Sequence, residues 1–224
     1  MIKQKVCELV ASLDREGKKW LMEYLENSDY FTAPASTKFH LAEEGGLVQH
    51  SWNVYSILKE KVKTYDLGEE IPVDSVIIAG LFHDLCKTDF YEKGGFPATQ
   101  SQMRYLKSWY TPGTEISRVY ASKLIKHFKG GGKENNMPAP SLEWSVNDKF
   151  PIGHGEKSVI LLQHCINLTV PEMLAIRWHM GGFDPGVQFK YPSGFPFEKA
   201  QLEPLSVLLL TADYEAGFLV ERRK

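Results

Sequence analysis

The sequence predicts an all-α protein: a compact multi-helix bundle with an irregular, partly β-hairpin insertion between its two halves. Two observations support this prediction. Apolar residues recur at the three- and four-residue spacing of amphipathic helices in both terminal parts of the chain, and that spacing is lost in the middle. A protein built on a parallel sheet has strands and helices that alternate regularly along the chain. This sequence shows no such alternation.

Seven segments have the apolar spacing of helices. They are Lys3–Leu13, Gly17–Leu25, Leu47–Lys63, Pro72–Cys86, Glu156–Asn167, Thr169–Met180 and Pro204–Arg222. Pro72 suits the first turn of its helix, because a proline there gives up no helical hydrogen bond. Thr169 and Glu172 have the spacing of a capping box, which predicts a helix N-terminus at that point.

Between Thr88 and Phe150 the composition changes, and Gly, Pro, Tyr, Trp and Lys become frequent. The stretch from Leu142 to Phe150 alternates polar and apolar residues, as a half-buried strand does. We therefore expect one domain, residues 1–224, with an insertion at about 88–150.

The composition limits the possible functions. Hydrophobic residues make up 43% of the 224 residues and charged residues 24%, which is enough for one globular core. A formal net charge of −2 gives no general attraction to nucleic acid or to a membrane surface. Three cysteines without a CxxC pair are typical of reduced thiols, and the first twenty residues do not resemble a signal peptide. We expect a cytoplasmic protein that does not enter the membrane; its oligomeric state is left open.

Three histidines and one aspartate fall within apolar helical segments: His50, His83, His179 and Asp213. A single buried histidine is more often a hydrogen-bonded core residue than a ligand, and a single aspartate can cap a helix or pair with an arginine. However, an unpaired buried carboxylate costs several kcal/mol. Imidazoles and carboxylates directed into one core from separate helices are the donors that a divalent metal requires, so the pattern predicts a metal site.

Three strings of the sequence resemble the H…HD…D signature of the HD superfamily of metal-dependent phosphohydrolases. They are GGLVQHSWNVY, AGLFHDLCKTDFY and LLLTADYEA, and they extend over about Gly45–Ala216. The resemblance implies an HD-domain bundle that binds one or two divalent ions, with Mn, Mg, Fe, Ni or Zn as candidates. The implied ligands are His50, His83, Asp84 and Asp213 for the first ion, and His154 and His179, with Asp84 bridging, for the second.

The resemblance implies an enzyme that hydrolyses a phosphate ester of a nucleotide or a short nucleic acid by means of a metal-bound hydroxide. Asp84 and Lys87 are then the catalytic residues, because Lys87 matches a lysine that relatives often direct at the substrate phosphate. The alternative for Lys87 is a solvated cation at a helix C-terminus. A small phosphorylated substrate, with a nucleotide favoured, fits this protein better than a nucleic acid, since no extended basic groove is indicated.

The insertion at about 88–150 is expected to select the substrate. It begins within one turn of the predicted metal site and returns just before His154, so we expect it to lie over or beside that site. Its aromatic residues and lysines suit a nucleotide, and we predict that Tyr91 and Lys149 bind substrate together with Lys87. The alternative is a hairpin packed for stability or for dimer contact.

Other functions stay open. The same six ligands would suit a diiron oxygenase of the HD type, and a 3′-5′ exonuclease-like phosphodiesterase is possible within the phosphohydrolase class. A third alternative is a regulatory module that binds nucleotide without turnover. His40, ten residues before His50, is ambiguous, whereas His127 and His164 have no equivalent in the signature.

Overall fold

The computed structural model describes residues 1–37, 40–94, 96–139, 144–190, 192 and 194–222. The chain divides into two compact units: unit 1, Met1–Phe90 with Asp148–Lys224, and unit 2, Tyr91–Asn147. The described residues are mostly helical, with one small antiparallel sheet, which confirms the predicted all-α class. Unit 2 falls inside the predicted insertion.

The described residues form ten α-helices. In chain order they are α1 (Ile2–Ser12), α2 (Lys18–Asn27), α3 (Gly46–Thr64), α4 (Val73–Phe82), α5 (Gln100–Leu106), α6 (Arg118–Lys129), α7 (His154–Gln163), α8 (Val170–Trp178), α9 (Pro196–Ala200) and α10 (Pro204–Glu215). Helices α5 and α6 belong to unit 2, and the others belong to unit 1. Within the ranges that the structure describes, no helix is both long enough and apolar enough to cross a membrane.

The core of unit 1 is built around α4. Every residue of α4 from Ser75 to Phe82 is buried, as expected for a helix that is apolar on all sides. Helix α3 packs against α4 with one apolar stripe, and α10 packs against both α3 and α8. The stripe of α3 includes Leu47, Val54 and Leu58, all fully buried.

The ends of several helices differ from the sequence prediction. The capping box at Thr169 is confirmed, since its side chain accepts from the Glu172 amide and the Glu172 side chain returns to the Thr169 amide. Helix α4 ends at Phe82 instead of continuing to Cys86, because the backbone at Asp84 (φ −101°, ψ 22°) leaves helical geometry, and a 3₁₀ turn follows. The last helix ends at Glu215 and is followed by a π-helical turn, Ala216–Val220.

Unit 2 is more regular than predicted. Strand β1 (Tyr91–Lys93) pairs antiparallel with β2 (Trp144–Val146), so the predicted strand before Phe150 is present. The predicted β-hairpin is wrong, because α5 and α6 lie between the two strands in the chain. The remainder was predicted to be irregular, and this was wrong, because α5 and α6 pack against each other around a small core. That core consists of Leu106, Ala121, Leu124 and Phe128. The overlooked signal is a capping box formed by Thr99 and Gln102 at the start of α5.

Gly80 permits the close approach of α3 and α4. A Cβ atom at this position would lie 2.7 Å from the Cα atom of Tyr55, which is closer than real side chains come to a backbone. Helices α3 and α4 can therefore touch backbone to backbone. His50 belongs to α3 and His83 directly follows α4, so the same contact brings these two side chains together.

We expect Gly80→Ala to lower the free energy of unfolding by about 1–3 kcal/mol, because the added methyl group must push the two helices apart. The higher helix propensity of alanine acts in the opposite direction by about 1 kcal/mol and does not cancel this effect. Urea denaturation measures the difference. The control is Gly68→Ala in the loop between α3 and α4, where a Cβ atom would have no neighbour within 4 Å. Equal stability of the two variants would contradict the close-packing argument.

Candidate metal centre

Four histidines and two aspartates of unit 1 converge at one place. The group, which we call the six-donor cluster, comprises His50, His83, Asp84, His154, His179 and Asp213. These residues come from α3, from the turn after α4, from the start of α7, from the end of α8 and from α10. The side chains of His50, His83, Asp84 and His179 are almost completely buried, whereas His154 and Asp213 are half-buried. All six residues named by the sequence resemblance are thus brought together.

Asp84 lies between two pairs of histidines. Its Oδ1 atom is 2.7 Å from Nε2 of His154 and 3.4 Å from Nε2 of His179. Its Oδ2 atom is 3.5 Å from Nε2 of His50 and 3.6 Å from Nε2 of His83. The two oxygens of one carboxylate therefore face different histidine pairs, which is the arrangement that a bridging ligand requires.

Asp213 completes the side of the cluster that contains His50 and His83. Its Oδ1 atom is 3.1 Å from Nε2 of His50 and 4.0 Å from Nε2 of His83. The two imidazole Nε2 atoms are themselves 3.3 Å apart. Three donor atoms at these separations form one potential coordination site beside Asp84.

The backbone and a buried carboxylate orient the imidazole rings. His83 and His179 directly follow helices, and the Nδ1–H group of each donates to the carbonyl three residues earlier, at Gly80 (3.0 Å) and Ile176 (2.6 Å). His50 donates from Nδ1 to the carboxylate of Glu221 at 3.0 Å. Because these acceptors need a proton on Nδ1, Nε2 is the atom left to face the cluster. Metal-binding histidines in proteins are commonly held in this way.

Sequence reasoning did not find three contributing residues. The Glu221 carboxylate accepts from His50 and from Nδ2 of Asn53, at 2.8 Å, and its side chain is almost completely buried. The Cys86 thiol lies 3.3 Å from Nδ1 of His154, so Cys86 belongs to a donor group with Asp84 and His154. Asn53 carries a usable signal, because it lies one turn after His50 on the same helix, but Glu221 and Cys86 have no distinguishing local pattern.

Charges within the cluster shift the pKa values of its members in opposite directions. Burial alone would lower the pKa of His50, but its hydrogen bonds with Asp213 and Glu221 outweigh burial and raise the pKa to about 9. Burial dominates at His83 and lowers its pKa to about 3. Burial alone would raise the pKa of Asp84, but the neighbouring Lys87 and His83 hold it well below the usual range. The cluster therefore contains ionised carboxylates together with both charged and neutral imidazoles.

The donor set fits a divalent metal ion. Nε2 of His179 is buried, and its 3.4 Å contact with Oδ1 of Asp84 is not a hydrogen bond. A buried ring nitrogen without a hydrogen bond is costly in a purely structural network, whereas a metal ligand must keep this nitrogen available. Imidazole nitrogens combined with carboxylate oxygens suit transition metals and zinc, so the cluster can hold a metal ion.

The Lys87 side chain faces the cluster. Its Nζ atom is 2.6 Å from Oδ2 of Asp84, and only 13% of the side chain is exposed. This contact contradicts the alternative of a solvated cation at a helix end. Of the other two residues predicted to bind substrate, Tyr91 begins β1 in unit 2, opposite Val146, and Lys149 is exposed in the loop before α7. Their role in substrate binding stays a prediction.

The three remaining histidines, His40, His127 and His164, have different surroundings. His40 lies beside the cluster, with its ring centroid 5.1 Å from that of His50 and its Nε2 atom 3.8 Å from Glu221. His127 belongs to α6 in unit 2, and its Nε2 atom donates to the Lys133 carbonyl. His164 is exposed at the end of α7.

No protein family model, no characterised protein and no solved structure matches this chain. The function is therefore inferred from the geometry of the described residues.

We expect His179→Ala to reduce the bound metal to about half, because only the pair formed with His154 is broken, and Asp84→Ala to abolish binding, because both sites share that carboxylate. Elemental analysis of the purified protein measures the stoichiometry, and circular dichroism confirms folding. The matched control is His164→Ala, which removes an exposed histidine outside the cluster. Full metal content in Asp84→Ala would show that the cluster is not the metal site.

Metal affinity should depend on pH through His50. The raised pKa means that His50 carries an extra proton in the metal-free protein at neutral pH, and an ion binds only the neutral ring. We therefore expect affinity to rise by about tenfold per pH unit between about pH 6 and pH 8, with release of one proton. Calorimetry in buffers of different ionisation enthalpy counts that proton.

A matched pair of variants tests the origin of this pH dependence. Glu221→Gln removes one of the charges that raise the pKa of His50, so the steep region should move to lower pH. Glu215→Gln is the control, because Glu215 pairs with Lys61 at the surface. Metal binding without proton release in the unmodified protein would rule out a protonated His50.

Proposed function

We propose that the protein is a metal-dependent phosphohydrolase of the HD type that cleaves a phosphate ester of a nucleotide or a short nucleic acid. The observation that carries this proposal is the position of Lys87. Its ammonium group lies at the shared carboxylate of the six-donor cluster, inside a cavity of about 520 Å³ that His50 and Asp213 also line. The proposed metal ligands and the ammonium group of Lys87, which would bind the substrate phosphate, thus line the same cavity.

The cluster suits two ions because Asp84 divides its oxygens between two pairs of histidines. Divalent ions bound there would supply Lewis-acid chemistry, since they polarise a phosphoryl oxygen and lower the pKa of bound water. The chain itself keeps the two carboxylates of this site ionised and fixes the orientation of its imidazole rings. Asp84 and Asp213 stay ionised, because the charges around them hold the pKa of each below its usual range.

Lys87 offsets the charge of the substrate in this proposal. In the absence of substrate its ammonium group pairs with Asp84. A phosphate that enters the cavity offers further oxygens within reach of the same group, so Lys87 can bind the phosphate without leaving the carboxylate. A preorganised cation in a site of low exposure stabilises developing negative charge more strongly than a solvated one.

A small phosphorylated substrate agrees better with the cavity than a long polymer. A volume of about 520 Å³ lies within the range of roughly 300–1,000 Å³ that is typical of small-molecule sites. The overall charge of −2 provides no general attraction for a polyanion. Nucleic acid is therefore a less favoured substrate than a free nucleotide.

The oxygenase alternative uses the same donors, because histidines and carboxylates also suit iron. The contact of Lys87 with the cluster favours phosphate chemistry over oxygen activation. A regulatory module without turnover is disfavoured by the complete donor set. The metal content and the reaction observed therefore separate the three functions.

We expect the metal-loaded protein to release phosphate from members of a nucleotide panel, tested with Mn²⁺, Mg²⁺, Ni²⁺ and Fe²⁺. Lys87→Ala should lower kcat/KM by about tenfold or more while metal content is retained, because the phosphate loses its cation. Lys63→Ala, which removes an exposed lysine of α3, is the control. Iron-dependent oxygen consumption without phosphate release would contradict the proposal and favour the oxygenase.

A further inference from the structure

Unit 2 differs in charge from the rest of the chain. Residues 91–147 contain eight Lys and Arg residues and four Glu residues, which gives this unit a formal charge of +4. Because the whole chain has a charge of −2, unit 1 has a charge of −6. The small overall charge thus conceals a separation of charge, and each unit must be considered by itself as the partner of a charged molecule.

The positive charge of unit 2 is concentrated on its two helices. Neither α5 nor α6 contains an aspartate or a glutamate. Their cationic residues are Arg104, Arg118, Lys123, Lys126 and Lys129. Solvated helices usually mix charges of both signs, because opposite charges one turn apart stabilise the helix. The helix dipole explains cations in a last turn, but it would also favour acidic residues in the first turns, and these are absent.

One side of α6 carries a row of lysines. Lys123, Lys126 and Lys129 are all exposed, and their spacing of three residues aligns them along the same side of the helix. The opposite side of α6 is buried in the small core of unit 2. We call these three lysines the basic face. The folding of unit 2 therefore holds the basic face toward solvent.

Two exposed aromatic residues adjoin the basic face. The Lys129 ammonium group lies 5.0 Å from the centroid of the Tyr105 ring, and the ring centroids of Tyr105 and Trp109 are 5.1 Å apart. Tyr105 is 47% exposed and Trp109 is 38% exposed. We call these two residues the aromatic pair. The row of lysines thus ends at rings that a ligand can reach from solvent.

The core of unit 2 supports the aromatic pair. The ring of Trp109 stacks on that of Phe128, with an interplanar angle of 9° and centroids 6.1 Å apart. The Trp109 amide donates to the carbonyl of Leu106 at 2.9 Å. Phe128 and Leu106 are both buried. Because these contacts fix the position of Trp109, its exposed part loses little conformational entropy when a ligand binds.

The combination of lysines and rings fits a partner that has both phosphates and accessible bases. Lysines pair with phosphates, and aromatic side chains stack on bases that are not already stacked in a duplex. A helix that binds a membrane surface needs an exposed apolar face that enters the bilayer. Helix α6 buries its apolar face in unit 2 instead, so a membrane is a poorer match.

We infer that unit 2 binds single-stranded nucleic acid, with phosphates on the basic face and bases on the aromatic pair. This inference goes beyond the proposed function, because it involves no residue of the six-donor cluster and requires no turnover. The nucleic acid is a partner of unit 2. The small phosphorylated substrate proposed for the cluster is a separate ligand.

Equilibrium binding of a short, fluorescently labelled oligodeoxythymidylate to the metal-free full chain tests this inference. A Lys126→Gln, Lys129→Gln double variant should weaken binding by about tenfold. It should also reduce the slope of log affinity against log salt concentration by roughly 1.4, because each phosphate contact of a single strand contributes about 0.7. Tyr105→Ala should weaken binding by about tenfold without changing that slope, because it removes stacking but no charge.

Unit 1 supplies matched controls. Lys19→Gln and Trp20→Ala remove an exposed lysine and an exposed aromatic residue of α2, so neither should change the affinity. Lys87→Ala should also leave the affinity unchanged, because the strand is expected on unit 2 and not at the six-donor cluster. Circular dichroism verifies that the variants fold, as expected for exposed side chains.

Four results would overturn the inference. The first is no binding of the oligonucleotide by the unmodified protein, and the second is unchanged affinity in the double lysine variant. The third is unchanged affinity in Tyr105→Ala, which would reduce the basic face to an unspecific site for polyanions. The fourth is tighter binding of phosphatidylserine vesicles than of the oligonucleotide, with the same dependence on the lysines.

The experiment also separates this inference from the proposed function. If the lysine and tyrosine variants lose the strand but the metal-loaded protein cleaves no phosphate ester, the inference stands and the phosphohydrolase proposal fails. If nucleotides are cleaved but the unmodified protein binds no strand, the phosphohydrolase proposal stands and the inference fails.

Discussion

The buried carboxylate of Asp84 is the group on which the arrangement of unit 1 depends. An ionised carboxylate in a core costs several kcal/mol unless neighbouring groups compensate for it. The Lys87 ammonium group, the charged ring of His50 and the close contact with His154 contribute to that compensation. The helices that carry these residues must therefore meet at one point, and the backbone contact at Gly80 allows α3 and α4 to do so.

Helix ends contribute directly to the chemistry of the cluster. His83 and His179 both lie just after a helix, where carbonyl groups lack helical partners. Each ring donates to one of these carbonyls and thereby directs its other nitrogen inward. The fold thus selects the ring orientation and the tautomer with backbone atoms, so no further side chain is needed at these two positions. His50 lies within α3 and depends instead on the Glu221 carboxylate.

Unit 1 contains all six donors, whereas unit 2 has its own small core. The donors of the proposed metal site therefore all belong to unit 1. The expectation that the insertion lies over the site, with Tyr91 and Lys149 on the substrate, stays a prediction. The assignment to the HD superfamily is likewise a proposal, supported by the convergence of the residues that the three sequence strings indicated.

The sequence by itself determined the helical class, the approximate limits of most helices of unit 1 and four polar residues within apolar segments, His50, His83, His179 and Asp213; Asp84 and His154 were indicated only by the resemblance to the HD signature. These features depend on local spacing, which a single sequence displays. It did not reveal α5 and α6, whose apolar stripes are short. Only the tertiary structure decided that Glu221 orients His50, that Asp84 divides its oxygens between two histidine pairs and that Lys129 lies beside Tyr105. Contacts of this kind join residues far apart in the chain, 171 positions in the case of His50 and Glu221, and packing rather than local pattern determines them.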